Sequence, residues 1–137
     1  MTASPQTASE ALDAVAALFS ASYPGGTPVA SLSSAGVTRA YDHEPAIVQR
    51  GCSVTVSFAG MDPYDWFIAV RVYGADNDPK TSQRLTAAAV EAVDALLAEG
   101  GFAGPSEWES GFDSTAEVPV HLAMTTQRVG RSDTSMH

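Results

Sequence analysis

Between Thr7 and Ser22 the apolar residues Ala8, Ala11, Leu12, Val15, Leu18 and Phe19 recur at steps of three and four, which places them on one face of an amphipathic helix. Either Ser4 followed by Pro5, or a capping box of Thr7 and Glu10, starts that helix, and Pro24-Gly25-Gly26 stops it. From Pro24 to Gly36 the chain is rich in Gly, Pro and Ser and loses its periodicity, which predicts a long surface loop over 24–36. Val37 to Tyr41 fits a short strand before Asp42-His43-Glu44-Pro45 breaks the pattern and Gly51 marks a turn. The alternation then sharpens. Val54, Val56 and Phe58 face one way and Ser53, Thr55 and Ser57 the other. After the turn Gly60-Met61-Asp62-Pro63, a second strand runs from Tyr64 to Tyr73, with Trp66, Ile68, Val70 and Val72 on one face and Phe67, Ala69, Arg71 and Tyr73 on the other. The short connection predicts an antiparallel hairpin over 53–73, and apolar residues on both faces of its second strand predict a central strand covered on both sides.

The stretch VYGADNDPKTSQ gathers Asp76, Asn77 and Asp78 directly after that strand. Such a cluster suits a metal or an acid/base pair, but the downstream sequence explains it more simply. Leu85, Ala88, Ala89, Ala92, Val93, Leu96 and Leu97 keep helical spacing, so a long helix covers 78–99. Asp78 serves as its N-cap, Pro79 as a first residue with preset φ and no N–H to leave unpaired, and Gly100 as its stop. A second hairpin is expected over 106–128. In its first arm Trp108, Ser110 and Phe112 alternate with Glu107, Glu109 and Gly111; in its second, Val118, Val120, Leu122 and Met124 oppose His121, Ala123 and Thr125. Residues 130–137 are polar and read as a flexible tail.

The order of helix, strands, long helix and strands predicts one α+β domain over 1–137, an antiparallel or mixed sheet of about four or five strands flanked by the N-terminal helix and the long helix. No internal repeat is evident. The 137 residues are 45% hydrophobic, enough to bury roughly two thirds of the unfolded surface in one core. The single cysteine, Cys52, excludes an internal disulfide and points to a reducing compartment. No apolar run is long enough to span a bilayer, and the first residues lack the basic and apolar regions of a cleaved signal, so neither a membrane nor an export route is expected. Sixteen acids against seven scattered bases give a net charge of −9, which disfavours binding to a phosphate backbone.

Candidate chemistry is sparse. His43 lies between Asp42 and Glu44, but neighbours in an extended chain point to opposite sides, so the three residues do not converge and a solvated turn explains them. No Gly-x-Ser-x-Gly elbow and no phosphate loop occur, and Cys52 has only Arg50 nearby to activate it. Trp66 and Trp108 occupy alternating strand positions and read as packing residues. Arg71, inside a central strand, calls for a carboxylate or a subunit boundary. The expectation is a chain without catalytic, metal or cofactor residues.

AGMDPYDWFIAVRVYG, followed by DNDPKTSQRLTAAAVEAVDALLAEG, GPSEWES and a last strand closing on RVGRSD, resembles the tail terminator proteins of long-tailed bacteriophages, over about Val37 to Asp133. Tyr64 to Tyr73 leading into Asp78-Pro79 carries most of the likeness. The resemblance implies a structural virion protein, assembled in the host cytoplasm as a homo-oligomeric ring, typically a hexamer, on the head-proximal end of the tail tube. Its implied partners are further copies of itself, the major tail-tube protein and the head–tail connector or head-completion protein, while DNA passes through the lumen without specific binding. The acidic balance fits a lumen that repels DNA. Candidate contact residues are Arg39, Tyr41, Asp42, His43, Glu44, Arg50, Met61, Asp62, Tyr64, Arg71, Arg128 and Arg131. Two other readings remain open, another neck component and a small cytosolic α+β enzyme or ligand-binding domain.

Overall fold

The computed structural model describes residues 5–20, 27–41, 43, 51–101, 107–113 and 120–131. Among them the chain forms α1 (Ala8–Ala16), α2 (Ala30–Ser34), β1 (Val37–Tyr41), β2 (Gly51–Met61), β3 (Asp65–Ala75), α3 (Pro79–Glu99), β4 (Glu109–Asp113) and β5 (Val120–Gly130). The strands make one sheet in the order β1-β2-β3-β5-β4, with β1 parallel to β2 and all other pairs antiparallel. This is the expected α+β class with a mixed five-stranded sheet.

α1 begins where Thr7 takes the backbone N–H of Glu10 on its hydroxyl at 3.1 Å, and the Glu10 carboxylate accepts from the N–H of Gln6 at 2.7 Å. Thr7 and Glu10 are therefore the start signal, not Ser4 and Pro5. Regular helix ends at Ala16, short of Ser22, and the turn after it carries Phe19 into the core. The expected loop over 24–36 is corrected by α2. Val29 N–H donates to Phe19 C=O at 2.9 Å, and the five-residue helix beyond it inserts Leu32, fully buried, beside α3. A single apolar anchor among serines carries no period, so the element is formed by docking and not by local propensity.

At the head of α3, Asp78 accepts from Lys80 N–H at 3.4 Å and from the Thr81 hydroxyl at 2.8 Å, Asp76 accepts from Asp78 N–H at 2.9 Å, and Pro79 opens the helix. The acidic cluster is thus a turn and a cap. At the far end Gly100 is the right-handed C-cap, and Gly101, at φ +75°, makes the left-handed exit. Lys80 and Arg84 stand in the first half of α3 and Glu91, Asp94 and Glu99 in the second, an arrangement opposed to the helix dipole. Contacts with the sheet must therefore hold this helix.

Its buried stripe is Ser82, Thr86, Ala89, Val93 and Leu97, so the face toward the sheet starts with two polar residues that the apolar periodicity passes over. The Ser82 hydroxyl donates to Gly74 C=O and accepts from His121 N–H at 2.8 Å; the Thr86 hydroxyl donates to His121 C=O at 2.9 Å. Two helix side chains thereby bind backbone groups of two adjacent strands. Gly74 makes the approach feasible, because a Cβ there would lie 2.5 Å from both Ser82 O and Thr86 Oγ1.

The three described helices pack on one side of the sheet. Ala11, Val15 and Phe19 of the first segment, Leu32 of α2, and Ala89, Val93 and Leu97 of α3 meet Val54, Val56, Trp66, Ile68, Val70, Val72 and Val129. The β3–β5 register sets Ala123, Thr125, Gln127 and Val129 on that same side, opposite Val72, Val70, Ile68 and Trp66. Leu122 and Met124 consequently fall on the other side, although with Val118 and Val120 they make the more apolar-looking set; Val118 is outside the described residues, and Val120 is buried where the strand begins. β3 is the expected central strand, and no residue of either face is exposed: on the face away from the described helices Ala69 is buried and Phe67, Arg71 and Tyr73 are half-buried, as is expected of a strand covered on both sides. Of the expected tail 130–137, Gly130 belongs to β5 and residues 132–137 lie outside the described residues.

Replacing Gly74 by Ala should lower the unfolding free energy by about 1–3 kcal/mol through overpacking. Ser82→Ala, which strands the His121 N–H in a buried site, should cost roughly 1–3 kcal/mol, both read from urea unfolding followed by circular dichroism.

Candidate interaction surface

The turn between β2 and β3 is braced from three directions. Asp62 accepts from the N–H groups of Tyr64 at 2.8 Å and Asp65 at 2.7 Å. Arg131, just past β5, donates its backbone N–H to Tyr64 C=O at 2.9 Å and its guanidinium to Asp62 C=O at 2.8 Å. The same guanidinium lies 5.8 Å from the centre of the Trp66 ring, where a cation and the π face attract. Met61, Asp62, Tyr64 and Arg131, separate candidates in the sequence, are thus brought together at one end of the sheet. The two amide donors hold the Asp62 carboxyl below its ordinary pKa, with Arg128 and Arg131 adding smaller attractions.

This rigid tip is apolar outside. Four large hydrophobic residues are exposed among those described, and three belong to the hairpin, Phe58 at 49%, Met61 at 54% and Tyr64 at 73%. The register sets Phe58 opposite Ile68 and Met61 opposite Trp66, so the apolar stripe of the helix-covered side runs on past the helices into solvent. Alternation puts Phe58 on the correct strand face. Nothing in the sequence marks where helix cover ends, and so sequence reasoning misses its exposure.

The helix-free side carries a second group. Arg39 and Tyr41 of β1 pair with Ser53 and Thr55, and Arg71 and Arg128 lie further across on β3 and β5. Arg71 donates to the Ser57 hydroxyl at 3.1 Å, so a side chain of the neighbouring strand meets part of the demand for a carboxylate or subunit boundary. Arg128 stacks 5.3 Å above Phe67 and sits 3.9 Å from the Asp65 carboxylate. Three of the seven basic residues thus share the side without described helices. His43 is exposed, its ring edge-on to Tyr41 at 5.5 Å, while Asp42, Glu44 and Arg50 are outside the described residues.

Elsewhere, a groove of about 330 Å³ lies between α3 and the β4–β5 pair, with Gln83, Thr86, Ser110 and His121 on its wall and Ala87, Val90, Trp108 and Ala123 making a largely apolar lining. The Trp108 indole donates to Asp94 at 3.1 Å and packs on the core, which accounts for it as a structural residue. His121 Nδ1 is buried without a hydrogen-bond partner, its ring edge-on to Phe112 at 4.9 Å, and burial lowers its pKa. The thiol of Cys52 is buried and pushed up to about 12, which makes it inert as a nucleophile at neutral pH. Among the described residues no three His, Cys, Asp or Glu gather as a metal site, and no helix is long and apolar enough to cross a membrane. No protein-family model, no curated protein and no solved structure matches this chain significantly.

The lowered Asp62 pKa has a definite sign. A carboxyl that ionises more readily in the folded state stabilises it fully above the unfolded value, near 3.8, and loses that contribution as pH falls through the lower folded value. Asp62→Asn should therefore flatten the fall in unfolding free energy between about pH 5 and pH 2, measured by denaturant titration at each pH.

Proposed function

We propose that this chain is a structural subunit of a ring that caps the head-proximal end of a bacteriophage tail tube, ends tube growth and offers a joint to the head connector. The observation that carries the reading is the braced β2–β3 tip, where Phe58, Met61 and Tyr64 are held in solvent on a backbone that Asp62 and Arg131 keep from collapsing. An exposed apolar group on a rigid support loses little entropy on docking, which suits a protein contact. The sequence resemblance to tail terminators supplies the particular partners, and the role asks only for contact surfaces. Ring and cap then divide the surface. The tip meets the tube, and other faces meet neighbouring copies and the connector.

A small ligand-binding domain is the second reading, favoured by the groove beside His121, whose volume lies at the lower end for small-molecule sites. The groove would hold a compact molecule whose apolar part rests on Ala87, Val90 and Trp108, with Gln83 and Ser110 at hand for a polar group. Another neck component would use the same tip on a different partner.

Purified protein added to polymerising tail-tube protein from the same genome should give shorter tubes with a ring on one end, scored by electron microscopy. Met61→Ser with Tyr64→Ser should lower end occupancy at a fixed concentration by about tenfold or more, in keeping with the loss of two central apolar contacts. Bare tubes of unaltered length with the parent protein would overturn the terminator reading, and binding to portal or head-completion protein in its place would assign the chain to the connector.

A further inference from the structure

The sheet has two short edges, β1 and β4, each five residues long and on opposite sides of three eleven-residue strands. Among the described residues no hydrogen bond reaches the outer backbone edge of either one. β4 is bare on both faces, with Glu109, Ser110, Gly111 and Phe112 all exposed and Phe112 at 51%. A strand with an open ladder and an exposed phenylalanine invites another strand, and folded proteins normally cover or blunt such an edge.

We propose that β4 of one copy pairs with β1 of the next, head to tail, so that the sheet continues from subunit to subunit. Three independent features of the chain agree on this partner. The first is direction. β1 runs with β2, and β3, β5 and β4 each reverse their predecessor, so a copy set beside β4 in the same orientation presents its β1 antiparallel to it, the more stable pairing.

The second is charge. Arg39 occupies the helix-free side of β1, and Glu109 and Asp113 hold register positions on that same side of β4. Because side chains alternate, every register that keeps these two sides continuous and pairs Arg39 with a residue of β4 sets it directly opposite an acid or diagonal to two. An antiparallel two-fold pairing of β4 with itself centred on Gly111 would set position 109 of each copy across from position 113 of the other, acid against acid, which cross-strand electrostatics disfavours. The third is apolar cover. On the helix-covered side Phe112 is brought beside the Val37 and Ala40 end of the next copy's core.

Such a contact joins two different surfaces and so repeats. It closes into a ring when the rotation per copy divides a full turn and otherwise runs on as a filament. The inference rests on the proposed function only for closure; the seam stands on the strand geometry.

The test uses two single variants of the full chain, Arg39→Glu and Glu109→Arg, both at exposed positions. The parent should self-associate in sedimentation velocity at low ionic strength, with amides of β1 and β4 gaining protection from hydrogen exchange. Each variant alone should associate about tenfold more weakly, since like charges then face each other across the seam. An equimolar mixture of the two should recover assembly, because the glutamate introduced at position 39 of one variant meets the arginine introduced at position 109 of the other, and the unaltered edges meet as before. A parent that stays monomeric at the highest soluble concentration, single variants that assemble like the parent, a mixture that recovers nothing, or assembly that leaves β1 and β4 amides unprotected would each overturn the seam. Seams that behave as stated on a protein that leaves tube length unchanged would sink the terminator reading alone.

Discussion

Two hydroxyl groups on α3 hold the rest of the molecule in register. Ser82 and Thr86 reach the backbone of β3 at Gly74 and of β5 at His121, so one turn of helix fixes two strands that are far apart in sequence. The contact is tolerable only because Gly74 offers no side chain, and it is polar where a helix–sheet interface is ordinarily apolar. Its position then decides the rest. From this fixed end the helix lays Ala89, Val93 and Leu97 along the sheet, β5 is set in the phase that turns Val129 inward, and α1 and α2 fill the remaining part of the same side.

Because all the described helices share one side, the molecule separates support from contact. The covered side makes the core. The hairpin tip and the exposed positions of the two short edges face solvent, each with its own chemistry: opposite charges at Arg39 and Glu109 on the edges, and phenylalanine, methionine and tyrosine at the tip. On the proposed function the subunit would bind its own kind and two other proteins, which calls for surfaces that differ, because one repeated patch would confuse its partners. The groove beside His121 stands apart from these surfaces in being concave.

Elements made by local rules are legible in the sequence. Thr7 with Glu10, Asp78 with Pro79, and the alternation from Ser53 to Tyr73 each act within a few residues, and each of those elements is present. The illegible parts depend on distant neighbours. α2 exists because Phe19 and the core receive it, and Ser82 and Thr86 look like solvent-facing polar positions until the strands they bind are placed beside them. β5 misleads for the same reason. Leu122 and Met124 are more hydrophobic than Thr125 and Gln127, yet alternation identifies two faces without naming the inner one, and the pairing with β3 settles it. The sequence marks Met61, Asp62, Tyr64 and Arg131 only as members of exposed segments; that they form one braced unit comes from β5 ending beside the β2–β3 turn.

During synthesis, central β3 spends an interval with one edge open. The other edge is satisfied as soon as the adjoining hairpin forms, but this one waits for β5, which starts roughly 45 residues further along the chain, or about 2–9 s of elongation at ordinary ribosomal rates. In that interval the segment WFIAVRV, β-prone and carrying a single charge, is an open template for the same segment on a neighbouring nascent chain. The helix translated in between can shield one flank, though not the ladder itself. A polysome crowded with this message is therefore the setting in which the chain is most exposed to misassembly, and late translation, not the finished fold, is where a chaperone would matter most.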